Sequence, residues 1–322
     1  MKTRIAYYLL YSIWYLFSLL PMWLHYRLSD LLYLLLYYVA HYRRKTVESN
    51  LATSFPEMSD GERKRIEKKF YAWLCDYFVE CVKLMSIRRE NIMRRMRFEN
   101  IELINEVLRS GQDVNIYLGH YCNWEWATTI SLHTDGILGA VYHPLENAAF
   151  DRLFLHLRER FGKSVGVPMN SILRYVARYR KEKQPILWGL LSDQKPHWVN
   201  IHYWTNFLNH DTPVLTGTER IAKATGNAVV FLELRRERRG YYVGTIKCIT
   251  RHPKDFPDYE LTQKYFELFE ENIRRAPECW LWSHKRWART HEEFDRRFYY
   301  DKKGRVIERK PGDAAEAKSE TL

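Results

Sequence analysis

The sequence predicts an α/β protein in which a mixed sheet is flanked by helices and preceded by a hydrophobic, membrane-anchoring helix. Three observations carry this. Short apolar runs at 114–118, 136–142, 185–191 and 228–234 alternate with charged helical segments, the pattern of strands in a sheet covered by helices. At 322 residues the chain is long enough to bury one full α/β core. From Ile5 to Leu24 there is no charged residue, and that length is enough for a helix to cross a bilayer.

At the N-terminus, Lys2 and Arg4 precede the uncharged run and Arg27 follows it. No small-residue cleavage site closes the run, so an uncleaved anchor is expected and not a signal peptide. Its Tyr and Trp residues and Pro21 leave an interfacial, partly inserted helix as the alternative. A second apolar run, 31–42, is too short to span unaided and ends in Arg43-Arg44-Lys45, which suits anionic headgroups. Residues 1–45 thus form the anchoring part.

Ser54-Phe55-Pro56-Glu57 is a turn, after which Ser59 and Glu62 have the spacing of a capping box. Ile66, Phe70, Leu74, Phe78 and Val82 recur every four residues and predict the buried face of the helix that follows. Strand–helix alternation begins beyond Arg97, and a helix over 217–225 is closed by Gly226. Residues 46–301 are expected to form one catalytic domain. The charged, apolar-poor stretch 302–322 is expected to be disordered.

The formal net charge of +12 predicts attraction to anionic surfaces: phospholipid headgroups, nucleic acid or an acidic carrier protein. An aromatic content of 15% fits rings placed at a membrane–water boundary or in an ordinary core. The five cysteines are scattered without zinc-type spacing, which predicts reduced thiols facing the cytosol. There is no Walker loop, dinucleotide fingerprint or nucleophile elbow, so nucleotide-driven chemistry, dinucleotide redox and serine hydrolysis lose support. Neither a metal nor a cofactor is expected.

The chemistry is expected at Gly119-His120-Tyr121-Cys122-Asn123-Trp124-Glu125-Trp126. His120 follows an apolar strand, and Asn123 can cap a helix opened by Trp124, Glu125 and Trp126. With His120 in the loop and Glu125 in the first turn, the carboxylate can fix the ring's tautomer, freeing the other nitrogen to take a proton from a hydroxyl. Group transfer to an alcohol is the implied reaction. Cys122 offers a Cys–His nucleophile as an alternative. Arg158 and Arg160, near a helix end, can present paired donors to a phosphate or an oxyanion. Asp193 and Gln194 follow the strand at 185–191, on the side where open α/β sheets bind ligands. The segment Trp280-Leu281-Trp282-Ser283-His284-Lys285-Arg286-Trp287 interleaves rings with cations and suits stacking on bases or a headgroup boundary.

Taken together, the His120 segment, Arg158-Glu159-Arg160-Phe161-Gly162, Ser192-Asp193-Gln194 and Trp282-Ser283-His284-Lys285-Arg286 resemble the bacterial late acyltransferases of lipid A biosynthesis, within the lysophospholipid acyltransferase-like superfamily. Val47-Glu48-Ser49-Asn50-Leu51 and Phe55-Pro56-Glu57 fit the same order. Cys122 stands where that family often has Gly. The resemblance implies a glycerolipid acyltransferase-like fold at the inner membrane, with the catalytic domain facing the cytoplasm. It implies O-acylation of a lipid A precursor by a fatty acyl thioester, carried on acyl carrier protein or as acyl-CoA. His120 would be the base and Glu125 its orienting carboxylate; Arg158 or Arg160, with Asp193 and Gln194, would bind substrate or oxyanion. A membrane is the expected partner and nucleic acid is not. Two other readings stay open: acylation of a lysophospholipid or other glycolipid, and a non-enzymatic module binding anionic lipid or nucleic acid.

Overall fold

The structure, a computed structural model, describes residues 2–309. Helices α1 (Lys2–Ser18) and α2 (Met22–Leu34) lead into α3 (Arg44–Ser54), the long α4 (Asp60–Leu84) and α5 (Arg89–Arg95). Strand–helix alternation follows: β1 (Met96–Glu99), α6 (Glu102–Arg109), β2 (Val114–Leu118), α7 (Trp124–Ala127), β3 (Ile137–Tyr142), α8 (Ala148–Glu159), β4 (Ser164–Pro168), α9 (Ile172–Lys181) and β5 (Ile186–Leu191). A small hairpin, β6 (Trp204–Phe207) and β7 (His210–Pro213), precedes α10 (Gly217–Thr225), then the long β8 (Ala228–Arg238) and β9 (Tyr241–Thr250). The described chain closes with α11 (Glu260–Arg275), α12 (His291–Arg297) and the hairpin β10 (Phe298–Tyr300)–β11 (Val306–Glu308).

The main sheet has seven strands in the order β1-β9-β8-β2-β5-β3-β4. Every neighbouring pair is parallel except β8–β9. The predicted α/β core with a mixed sheet is therefore present, and all four apolar runs lie in strands. The central strand β2 is buried along its whole length, as a strand covered on both faces must be. Ser59 and Glu62 make both halves of the capping box, and Gly226 closes α10 at φ +72°.

Three expectations change. The run 5–24 does not make one spanning helix: α1 ends at Ser18 and the chain restarts after Pro21, with a bend of 111° between the two helical segments. Proline has no N–H to continue the helix and its ring obstructs the preceding turn. Among the described residues no single helix is long and apolar enough to cross a membrane, although this bent pair has the length and composition to do so. The run 31–42 is the continuation of α2 through one π-helical turn, Leu35–Val39. Along α4 the buried face is Phe70, Trp73, Leu74, Tyr77, Cys81 and Leu84, whereas Phe78 is exposed. A strict four-residue repeat drifts about 40° per step around a helix of 3.6 residues per turn, which carries Phe78 off the core side. Finally, the charged stretch after Lys302 is ordered through Arg309: Val306 is buried with Ile201, Phe294 and Phe298 beneath the last hairpin. Residues 310–322 lie outside the described residues.

The bent pair sits on the α/β body by its inner side. Trp14 meets Phe150 and Phe154 of α8 edge-on, and Ser29 donates to Asp76 of α4 at 2.6 Å. Its outer side leaves Leu9, Leu16, Trp23 and Val39 exposed.

Candidate active site

The register of the sheet builds the site. β2 and β5 are parallel neighbours with Leu118 opposite Leu191, so the residues two positions beyond each strand end, His120 and Asp193, emerge side by side. His120 Nδ1 lies 2.7 Å from Asp193 Oδ1, and Trp280 Nε1 donates to Asp193 Oδ2 at 2.9 Å. Gln194 Nε2 stands 3.2 Å from His120 Nε2. Burial alone would raise the carboxyl of Asp193, but His120 and the indole N–H outweigh it and bring it down to about 2. A carboxylate here accepts from Nδ1–H, an arrangement that in the neutral imidazole leaves the lone pair on Nε2. The imidazole remains partly exposed while Asp193 is sealed.

The loop holding His120 is shaped by sequence-distant pieces. Gly119 is required because a Cβ there would overlap the ring of Phe269. Tyr121 pairs with Trp280, and Cys122 N–H donates to Cys279 carbonyl oxygen at 2.9 Å. Cys122 takes φ +51°, the left-handed region that favours glycine. Its thiol is fully buried, and burial together with Cys279 pushes it well above the ordinary thiol range. A buried neutral thiol makes a poor nucleophile, which disfavours the Cys–His alternative. As expected, Asn123 caps α7, accepting from Trp126 N–H at 2.9 Å.

Glu125 does not meet the imidazole nitrogens. Both of its oxygens are held by Arg158, with Nε to Oε2 at 3.0 Å and Nη2 to Oε1 at 2.6 Å, in a buried bidentate pair. Burial opposes the charge on Arg158, but Glu125 overcomes it and the guanidinium is raised. The expected His120–Glu125 contact is therefore replaced by His120–Asp193. The helix turn opened by Asn123 aims Glu125 toward α8, while the ring of His120 turns to the end of β5. Arg160 is engaged elsewhere: Nη1 donates to Leu84 and Ile87 carbonyl oxygens at 2.9 and 2.6 Å, tying down the C-terminal end of α4. Neither arginine is bonded to the His120–Asp193 pair.

Beside Glu125 and Arg158 lies a pocket of about 500 Å³ including its open mouth, lined mainly by apolar side chains of β2, β3 and β5 and of α7, among them Leu118, Leu138, Val141 and Leu191.

Behind the loop, Glu80 of α4 is fully buried and gathers three donors: Asn123 Nδ2 at 2.7 Å, Tyr242 hydroxyl at 2.8 Å and Tyr26 hydroxyl of α2 at 3.0 Å. Burial raises its carboxyl to about 7 against the pull of Asn123. Trp280 and Glu80 support the candidate site in ways that the sequence analysis did not single out. For Trp280 the signal was its place in a segment that interleaves indoles with cations. For Glu80 it was an acidic residue in the apolar part of α4.

Residues 1–289 match the family described as bacterial lipid A biosynthesis acyltransferase. The chain belongs to that family. Among curated proteins it is similar to a lipid A biosynthesis acyltransferase of Haemophilus influenzae, 22% identical over 83% of this chain and 82% of that one. It is similar also to a lipid A biosynthesis lauroyltransferase of Escherichia coli, 25% identical over 80% and 82% of the two chains. A lipid A biosynthesis myristoyltransferase of the same organism is 22% identical over 74% and 73%. The resemblance drawn from the sequence motifs is thus established at the level of family, and the protein is an O-acyltransferase.

Proposed function

We propose that this acyltransferase moves a fatty acyl group from acyl carrier protein to a hydroxyl of a lipid A precursor at the cytoplasmic face of the inner membrane. The observation that carries the reading is the His120–Asp193 pair near an apolar pocket, in a member of this family. The acceptor hydroxyl displaces Gln194 from Nε2 and gives its proton to His120 as its oxygen attacks the thioester carbonyl. Asp193 holds the other nitrogen and stabilises the imidazolium. When the tetrahedral intermediate collapses, the C–S bond breaks, the ester C–O bond remains, and the thiolate leaves with the proton from Nε2. No covalent enzyme intermediate is needed. The Glu125–Arg158 pair forms a polar wall of the pocket, and Gln194 is placed to donate to the oxyanion once freed. A protein of net charge +12 draws an acidic carrier by long-range attraction. The exposed outer side of α1 and α2 meets the bilayer. In this reading residues 1–45 serve as the anchoring part and 46–301 as the catalytic domain.

The test offers lipid A precursor and lysophospholipid in parallel, each with acyl carrier protein and coenzyme A thioesters, and reads products by mass spectrometry. Transfer to the lipid A precursor should dominate. In a folded His120→Ala protein it should fall by at least about a hundredfold. Preference for lysophospholipid would overturn the acceptor, and near-normal turnover in His120→Ala would overturn the mechanism.

A further inference from the structure

The proposed reaction leaves unused a group of cations around the His120–Asp193 pair. Lys195 follows Gln194 directly at the end of β5. The segment carrying His284, Lys285, Arg286 and Arg289 is fixed against the same place from both sides. Trp280 bonds Asp193, Asn50 Nδ2 donates to Trp282 and His284 carbonyl oxygens at 2.8 and 3.0 Å, and Arg43 Nη1 donates to Ser283 carbonyl oxygen at 3.0 Å. Arg286 is 1% exposed, and among the described residues only its Nη2 has a partner, Pro213 carbonyl oxygen at 2.8 Å. Its Nε and Nη1 have none. A buried guanidinium with two unused donors is costly, because those N–H groups have left water without replacement partners.

The neighbouring charges are close enough to act on one another. Burial, Arg289, Lys285 and Arg286 together press the ammonium of Lys195 down. Burial pushes Arg286 down to about 10 in spite of Asp193. Burial likewise takes His284 down to about 4, so that near neutrality it adds a polar ring and no charge. Arg236 and Arg239, by contrast, are matched with the carboxylate of Asp76. Lys195, Lys285 and Arg289 make no salt bridge among the described residues, and the carboxylate at the centre of the group, Asp193, is already committed to His120 and Trp280. Repelling cations with unused donors are arranged for an anion with several acceptor oxygens.

We propose that Lys195, His284, Lys285, Arg286 and Arg289 form a subsite for a phosphate ester beside His120. This rests on the acyl-transfer reading, in which a phosphate can arrive on either substrate: in the phosphopantetheine arm of the donor, or on the sugar of the acceptor. The subsite replaces Arg158 and Arg160 as the place where phosphate is held.

Two measurements on the full chain test it. The first titrates inorganic pyrophosphate into the protein and follows the phosphorus resonance. Wild type should bind saturably. A Lys195→Gln/Arg289→Gln double variant, whose changes lie at partly exposed positions and spare the buried Arg286, should bind at least about tenfold more weakly, the loss expected for hydrogen bonds to a charged group. Lys68→Gln, on the exposed side of α4, should bind as wild type does. Absence of saturable binding, or equal binding by the double variant, overturns the subsite. Pyrophosphate binding requires no turnover, so it judges the subsite even if the transfer reaction fails. The second measurement compares acyl-phosphopantetheine with acyl-pantetheine, and the phosphorylated acceptor with its dephosphorylated form. In wild type, removing the phosphate from one substrate should raise KM about tenfold, and in the double variant that penalty should vanish. The substrate that shows the effect identifies the source. A penalty that persists unchanged in the double variant overturns the proposal.

Discussion

Replacing Arg158 with Met would leave the Glu125 carboxylate, which is 2% exposed and has both oxygens on this one guanidinium, buried without a partner. Breaking such a pair by removing one member typically costs about 3–5 kcal/mol, because the remaining charge stays out of water uncompensated. At roughly 2–4 °C per kcal/mol for a domain approaching this size, the melting temperature should drop by about 6 °C or more. The carboxylate can escape only by taking up a proton, so the loss should be smaller at pH 5 than at pH 8. Glu125→Gln/Arg158→Met removes both charges and should recover more than half of the loss. The assay is denaturation of the purified protein in detergent, followed by near-ultraviolet circular dichroism at the two pH values, for the single and double variants. A cost below about 1 kcal/mol for Arg158→Met, or a double variant no more stable than that single one, would refute the reasoning that the two residues act as one buried unit.

Asp193→Asn should lower acyl transfer by at least about a hundredfold in a protein that still folds, since an amide does not hold Nδ1–H as a carboxylate does; Cys122→Ser, assayed beside it, should keep most activity. Glu80 has its folded value raised to about 7 from 4.5 by burial, so the stability it contributes is fully present below pH 4.5 and is lost as pH rises through about 7. Urea denaturation between pH 4.5 and 8 should show Glu80→Gln without that decline, so the difference between it and wild type should move in favour of the variant as pH rises; parallel curves would sink this assignment. Gly119→Ala should destabilise the fold by about 1–3 kcal/mol through overlap with Phe269, measurable in the same urea titration.

Local features were legible in the sequence because their causes are local. The Ser59–Glu62 box, the Asn123 cap and the Gly226 stop each follow from side chains within one helical turn of their effect. The apolar runs of β2, β3, β5 and β8 could be read because a buried strand needs a continuous run of such residues. The partner of His120 was not legible in the same way. Glu125 is five residues away and Asp193 is 73, and nothing local says that β5 lies beside β2 with Leu191 opposite Leu118. Once that register exists the choice between the carboxylates is made by geometry. Arg158 and Arg160 likewise look equivalent on paper, but two positions on a helix differ by about 200° in direction, so one faces Glu125 and the other the end of α4. The break in the N-terminal run had a visible marker in Pro21, and composition alone concealed its effect.

The support of His120 also sets an order of events during synthesis. Asp193 is contributed 73 residues after the imidazole and Trp280 another 87 residues later, so the geometry of this group is closed only once Trp280 has been made. Contacts this far apart form late, since each must overcome the entropy of a long loop. The helices α1 and α2 leave the ribosome before the strands of the sheet, and long before the ring of His120 is fixed. A chain interrupted before Trp280 therefore lacks the indole that holds Asp193 Oδ2, and with it the fixed partner of His120.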